Sequence, residues 1–473
     1  LGYPSDADPA AAVRLAPHLA DRYTVSPDGL VYRFHLRAGA QFSDGTPLTA
    51  DDFVFAWRRV LRTPASPFPG FLAPIDGAEA YAARARDDVP GLRADGDTLE
   101  VRLTSPDAAF VYVLAMPFTA PLRAAVTAAH GDDLRRTVVG TGPFVVAAWR
   151  EGEALELARN PRYWDAPRPY LDRLVFRENL PRGAAFLEFM RGDVDVIDRL
   201  APADWLAIRD QPGWQPYVRV EPQLSTFGAR MDVRRPPFDD VRVRRALNFA
   251  VDKDRQVRVL HGLGVAAHGM LPPGMLGRDD ALAPYPHDPA RARALLAEAG
   301  YGGGLDLEYV TVQEEYAVRL AQLMQADLAE VGVRVSLKVM SFATFLEAVA
   351  SPDGPAFSYT SWLIDYPDPS NFLDARFHSR GIGATNDGGY ARPEVDRLLD
   401  SARAVADPAA RARAYQAVER LLFDDAPWIW GYHPQIAEVV QPYVRAVRPH
   451  PVWVHDFTSA WLDLGPRGQR LHR

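Results

Sequence analysis

The run Trp362-Leu363-Ile364-Asp365-Tyr366-Pro367-Asp368-Pro369-Ser370-Asn371-Phe372 is the stretch best suited to chemistry. It begins as an apolar strand and sets Asp365 at the strand's end, among aromatics and a proline-stiffened turn. A carboxylate in that place is partly desolvated and needs a positive partner. An ammonium group on a ligand would satisfy it. So would one of the many arginines, and an aspartate at such a position also serves simply to cap a turn. The residues alone leave these roles open, with the turn role the commoner.

Catalytic patterns are weak. His261, His268, His287, His378 and His433 are scattered, with neither an HExxH motif nor close paired spacing, which disfavours a zinc site. The chain has no cysteine, which removes thiol nucleophiles, disulfides and thiolate metal ligands together. No G-x-S-x-G elbow occurs. The glycines from Gly300 to Gly304 are not followed by the Lys-Ser/Thr of a phosphate loop and read as a helix stop after Ala299. Asp239 and Asp240 follow Pro236-Pro237-Phe238 and precede a helix, so N-capping is expected of them. Trp428 and Trp430 flank Ile429 in strand alternation, as a ligand-stacking wall or as core; core is the default. Neither an enzyme nor a bound cofactor or metal is expected.

The elements that must position these residues alternate irregularly between α and β. Thr24 to Leu36 reads as two strands around Ser26-Pro27-Asp28-Gly29. Thr49 and Asp52 form a capping-box pattern before the apolar face of Phe53 to Leu61. Gly142 to Trp149 and Ala154 to Leu157 read as a β-pair. Helical spacing runs through Arg242 to Val259, Asp288 to Ala299, Glu315 to Val331, Arg392 to Ala406 and Pro408 to Phe423. Strands are expected at Asp306 to Val310, Val333 to Val339 and Phe357 to Ile364. The class is α/β with mixed α+β sheets and more than one lobe.

Composition sets the outer limits. At 473 residues the chain is long enough for two or three domains, and 48% hydrophobic with 24% charged residues excludes a largely disordered one. No window approaches the ~18 apolar residues of a membrane span. A formal charge of −8 disfavours nucleic acid as a partner.

An ordered set of segments then carries a resemblance. Leu15-Ala16-Pro17-His18-Leu19-Ala20, Tyr32-Arg33-Phe34-His35-Leu36-Arg37, Phe42-Ser43-Asp44-Gly45-Thr46-Pro47 and Thr49-Ala50-Asp51-Asp52-Phe53 come first. Gly140-Thr141-Gly142-Pro143-Phe144, Asn160-Pro161-Arg162-Tyr163-Trp164, Pro237 to Leu247, Leu295 to Tyr301 and Asp365 to Phe372 follow in order. Together they resemble the extracytoplasmic solute-binding proteins of peptide ABC transporters, family 5, most closely the oligopeptide-binding branch. The resemblance covers nearly the whole chain. It implies a bilobal periplasmic-binding-protein clamp that holds an extended peptide and hands it to membrane permease subunits. A monomer in the periplasm or another extracytoplasmic space is expected.

By the same resemblance, Asp365 takes the peptide's α-ammonium group, and the main chain of Ser361, Trp362 and Leu363 pairs with the peptide as an added strand. Phe68 and Phe342 fall at aromatic positions of side-chain pockets. A basic group used by some members near the peptide's C-terminus is replaced by Tyr359, and His261 falls at another such position. Positions that hold a disulfide in some relatives read Ser225 and Leu363. The family's segment before Leu15, with the first strand of the larger lobe, is represented here only by Leu1 to Arg14. Residues 1–121 are expected as the small extra domain, 122–232 with 435–473 as lobe I, and 233–434 as lobe II. Two hinge crossings are expected near Phe227–Arg234 and Tyr432–Ala437. The rival readings are a sensor domain, a binder of sugars, opines or metal chelates on the same fold, and, far behind, a hydrolase.

Overall fold

The computed structural model describes residues 1–3, 13–64, 66–131, 134, 137–351, 353–452 and 454–465. Most of the segment expected to replace the family's N-terminal strand, residues 4–12, lies outside them. Two compact units emerge, Leu1–Arg219 with Ala437–Arg473, and Val220–Ile436. The chain passes between them inside the strands Val218–Pro222 and Trp428–Val440.

The first unit carries an antiparallel sheet in the order Ala20–Val25, Val31–Leu36, Thr98–Arg102, Leu92–Asp95. The helix Ala50–Arg62 lies against this sheet because its amphipathic spacing buries Val54, Trp57 and Leu61. The Asp52 carboxylate accepts hydrogen bonds from the Thr49 N–H at 2.9 Å and its hydroxyl at 2.8 Å, tying down the helix start. Trp57 meets its polar need by donating from Nε1 to the Thr119 carbonyl at 2.9 Å. A three-stranded meander, Phe144–Arg150, Ala154–Arg159 and Arg173–Arg177, follows.

The second unit is built on a mixed sheet in the order Gly264–Ala266, Trp428–Val440, Ser225–Met231, Phe357–Leu363, Leu305–Val312, Val333–Met340. Leu305–Val312 and Val333–Met340 run parallel, joined by the helix Glu315–Glu330 in a βαβ unit. One face packs Phe357, Leu307, Tyr309, Val333 and Ile429 against Leu247, Leu295, Met324 and Leu328 from three helices. Truncating any such buried leucine to alanine costs about 2–5 kcal/mol. Trp428 and Trp430 are both buried, with ring centroids 5.9 and 6.2 Å from that of Phe377, so they are core rather than a ligand wall.

One expected helix is two. Helical spacing runs unbroken from Arg242 to Val259, but helices span Val241–Ala250 and Lys253–Arg258. Asp252 breaks the run by acting as an N-cap, its side chain accepting from the Arg255 N–H at 2.7 Å. Asp240 caps the earlier helix in the same way, accepting from the Arg242 N–H at 2.8 Å. Gly300 has φ +91°, the left-handed conformation that ends the helix Pro289–Glu298.

Candidate functional site

Asp365 lies two residues past the strand Phe357–Leu363, in the turn before the helix Pro369–Phe377. It is half-buried, and burial pushes its carboxyl up while a hydrogen bond from Asn371 partly opposes that. The Asn371 Nδ2 amide donates to Asp365 Oδ2 at 2.8 Å, and the Asp365 N–H donates to Asn371 Oδ1 at 2.9 Å. Among the described residues no arginine, lysine or histidine lies within ion-pair reach of Asp365. A desolvated carboxylate with no internal cation is unusual in a chain of 53 basic residues.

The helix after Asp365 is anchored from beneath. Asp368 caps it, its Oδ1 accepting from the Ser370 N–H at 2.9 Å, and pairs with the buried Arg411. The helix has Pro369 at its first position, where a missing N–H costs nothing. Side chains lean toward a helix's N-terminus, so Asn371 in the first turn points back toward Asp365.

The strand beside Asp365 offers main-chain groups. Phe357–Leu363 pairs antiparallel with Ser225–Met231 along its whole length, ending with Leu363 opposite Ser225. On its other side, among the described residues, the parallel ladder to Leu305–Val312 registers at Val310 opposite Ser358. The Ile364 N–H donates to the Leu224 carbonyl at 3.1 Å. By alternation, the N–H and C=O groups of Ser361 and Leu363 face the other edge, which no described strand covers there. Leu363 is 47% exposed.

Trp362 points to the opposite face of the sheet. Its Nε1 donates to Asn371 Oδ1 at 3.3 Å, and the Arg376 guanidinium lies 5.3 Å from its ring. Arg376 is itself buried and held by Asp387 and Thr360. Trp362, Ser361, Leu363 and Asp365 therefore form one local group. Phe342 opens the helix Phe342–Ala350, which packs through Phe345 against Tyr359 with ring centroids 6.0 Å apart. Phe342 itself is 56% exposed and continues with Leu346 as the uncovered margin of that apolar stripe.

Two predicted residues stand elsewhere. His261 sits in the turn before the edge strand Gly264–Ala266, three strand spacings from Phe357–Leu363, roughly 14 Å. Phe68 belongs to the first unit, where its ring stacks on Phe118 at 4.6 Å. Nothing in the spacing of the Trp362 to Phe372 run singles out Asn371. Its signal was a polar residue in the first turn of an otherwise buried, aspartate-capped helix.

Known proteins place this architecture. Residues 14–384 match the family described as bacterial extracellular solute-binding proteins, family 5 Middle, and the chain belongs to that family. It has the family's bilobal, mixed α/β periplasmic-binding-protein fold. It is 31% identical to di/tripeptide-binding protein 2 of Pseudomonas aeruginosa, over 94% of this chain and 86% of that protein. It is 32% identical to the probable deoxycholate-binding periplasmic protein YgiS of Escherichia coli, over 92% and 83%. Among solved structures, clavulanic acid biosynthesis oligopeptide binding protein 2 superposes with a TM-score of 0.90 at 28% identity, covering 98% of this chain and 89% of that one. The relatives are binding proteins, and among the described residues no helix is long and apolar enough to cross a membrane.

Proposed function

We propose that this protein captures extended oligopeptides outside the cytoplasm and delivers them to the permease of an ABC transporter. The observation that carries the reading is Asp365: a half-buried carboxylate without an internal cation, two residues beyond a strand edge whose main-chain groups at Ser361 and Leu363 are open. A peptide supplies what both lack, an α-ammonium group at one end and a ladder of amides behind it. The ligand would then run antiparallel to Phe357–Leu363, with its N-terminus at Asp365. From Ser361 to Asp365 the edge spans about 13 Å, enough for the first three or four ligand residues.

Main-chain pairing is indifferent to side chains, which suits capture of varied peptides. In this reading Phe342 and, from the other unit, Phe68 meet ligand side chains, and Trp362 stiffens the strand from behind. His261, at the far edge of the sheet, is kept for the other end of the ligand. Engagement of one ligand by both units would shift the protein toward a closed state through strands Val218–Pro222 and Trp428–Val440. The names of several relatives support a peptide ligand. An anionic solute such as deoxycholate would bring a second negative charge to Asp365, which disfavours it.

The test is native mass spectrometry of protein purified from its own host, followed by denaturation and sequencing of the released ligands. Peptides with free amino termini are expected. A sterol acid, a sugar or an opine in their place would overturn the reading.

A further inference from the structure

We infer that Asn371 is a positioning residue for ligand capture, locking Oδ2 of Asp365 so that Oδ1 is the oxygen presented to the ligand's ammonium group. The inference rests on the reading of Asp365 as the anchor.

Asn371 is 3% exposed, and its amide is engaged at both ends. Two donors converge on Oδ1, the Asp365 N–H at 2.9 Å and the Trp362 indole at 3.3 Å. That fixes the amide's orientation, since its NH2 end could accept neither. The NH2 end therefore faces the carboxylate and donates to Oδ2 at 2.8 Å. One side chain thus holds the main chain and the carboxylate of Asp365 at once, and ties both to the indole of the adjoining strand. Among the described residues Oδ1 of Asp365 accepts no hydrogen bond and is left to an incoming group.

The clamp has a rigid base. Asn371 sits in the first turn of a helix whose cap, Asp368, is paired with Arg411 in the core. Trp362 is backed by Arg376, which pairs with Asp387. Asp368 and Arg376 are thus each paired already. Burial and Asn371 are what act on the Asp365 carboxyl, burial upward and Asn371 downward. A carboxylate held in one rotamer before the ligand arrives spares the ordering cost at binding.

The experiment compares Asn371→Ala and the near-isosteric Asn371→Asp with the parent by calorimetric titration of trialanine from pH 4 to 8. N-acetyl-trialanine and thermal melting serve as controls. In Asn371→Ala the acid limb of trialanine binding should move up by about one pH unit, near a tenfold loss on that limb, with N-acetyl-trialanine unaffected. Asn371→Asp places a second carboxylate against Oδ2, so the pair should share a proton and the profile should rise in two steps. Parent-like affinity and pH profile in both variants would overturn the inference, provided Asp365→Asn loses trialanine. An equal loss for both ligands at every pH, with a lowered melting temperature, would also overturn it, by showing a merely structural role. If Asp365→Asn itself binds trialanine as the parent does, the anchor reading falls first and the inference with it.

Discussion

Asp368 and Arg411 form a buried two-point ion pair, with Arg411 Nη2 donating to Asp368 Oδ1 at 2.7 Å. The same Oδ1 caps the helix that carries Asn371. A buried pair is weak evidence for net stability, but breaking one partner strands a charge in the core. Arg411→Met should therefore cost about 3–5 kcal/mol in urea denaturation. Asp368 with Arg411 both replaced by apolar residues should cost much less. A loss below 1 kcal/mol in the single variant would show that the pair is relaxed by water.

Ligand affinity should depend on pH from both sides. The Asp365 carboxyl is raised by burial, and an ammonium ligand binds its ionised form, so affinity is lost as pH falls through that raised value. On the other side, the ligand's α-amino group loses its proton near pH 8. Titration of trialanine should give a bell, with proton release on its acid limb. Affinity that stays level from pH 4 to 7 would show that Asp365 is not the partner of the ammonium.

Ligand length should matter only up to a point. The open edge beside Ser361 and Leu363 ends where Val310 pairs opposite Ser358. Alanine peptides of increasing length should gain affinity up to three or four residues and then level off, as read by calorimetry. Methylating the ligand amides that face Ser361 and Leu363 should cost about 1 kcal/mol or more each. Continued gains past six residues would mean that the ladder is not what holds the peptide.

A lysine offers an independent check on the second unit. Lys253 is buried, its Nζ donating to the Asn248 carbonyl at 3.1 Å, and burial lowers it from 10.5 to about 7. Between those values the unfolded chain binds a proton that the folded chain has released, so stability from this residue rises with pH across that window. Below about 7 the cost of burying the cation is present in full. Lys253→Met should stabilise the protein by about 4 kcal/mol more at pH 6 than at pH 10. A gain of equal size at both pH values would contradict the assigned burial effect.

Much of the second unit was legible because its elements carry local signals. Leu305–Val312 and Val333–Met340 alternate cleanly, and Asp240 and Asp288 announce their helices as caps. The break at Asp252 was missed because apolar periodicity runs through it, and a cap outweighed the pattern. Asp365 was found from its place at a strand end, but its freedom from arginine could not be read from a sequence so rich in that residue. The match of Ser225 to Leu363 was suggested by family resemblance and appears as a cross-strand pair. Asn371 was hidden because its role depends on three groups brought together only by the turn. His261, which the resemblance sets near the ligand's C-terminus, lies in the turn before the edge strand Gly264–Ala266, away from the strand that leads to Asp365.

One comparison bears on the core idea more directly than any other: calorimetry of the parent and Asp365→Ala with a tripeptide, free and N-acetylated. The parent should favour the free form by a factor of about ten or more, and the variant should bind both forms alike and weakly while melting near the parent's temperature. An Asp365→Ala protein that still prefers the free amino terminus as strongly as the parent would contradict the account.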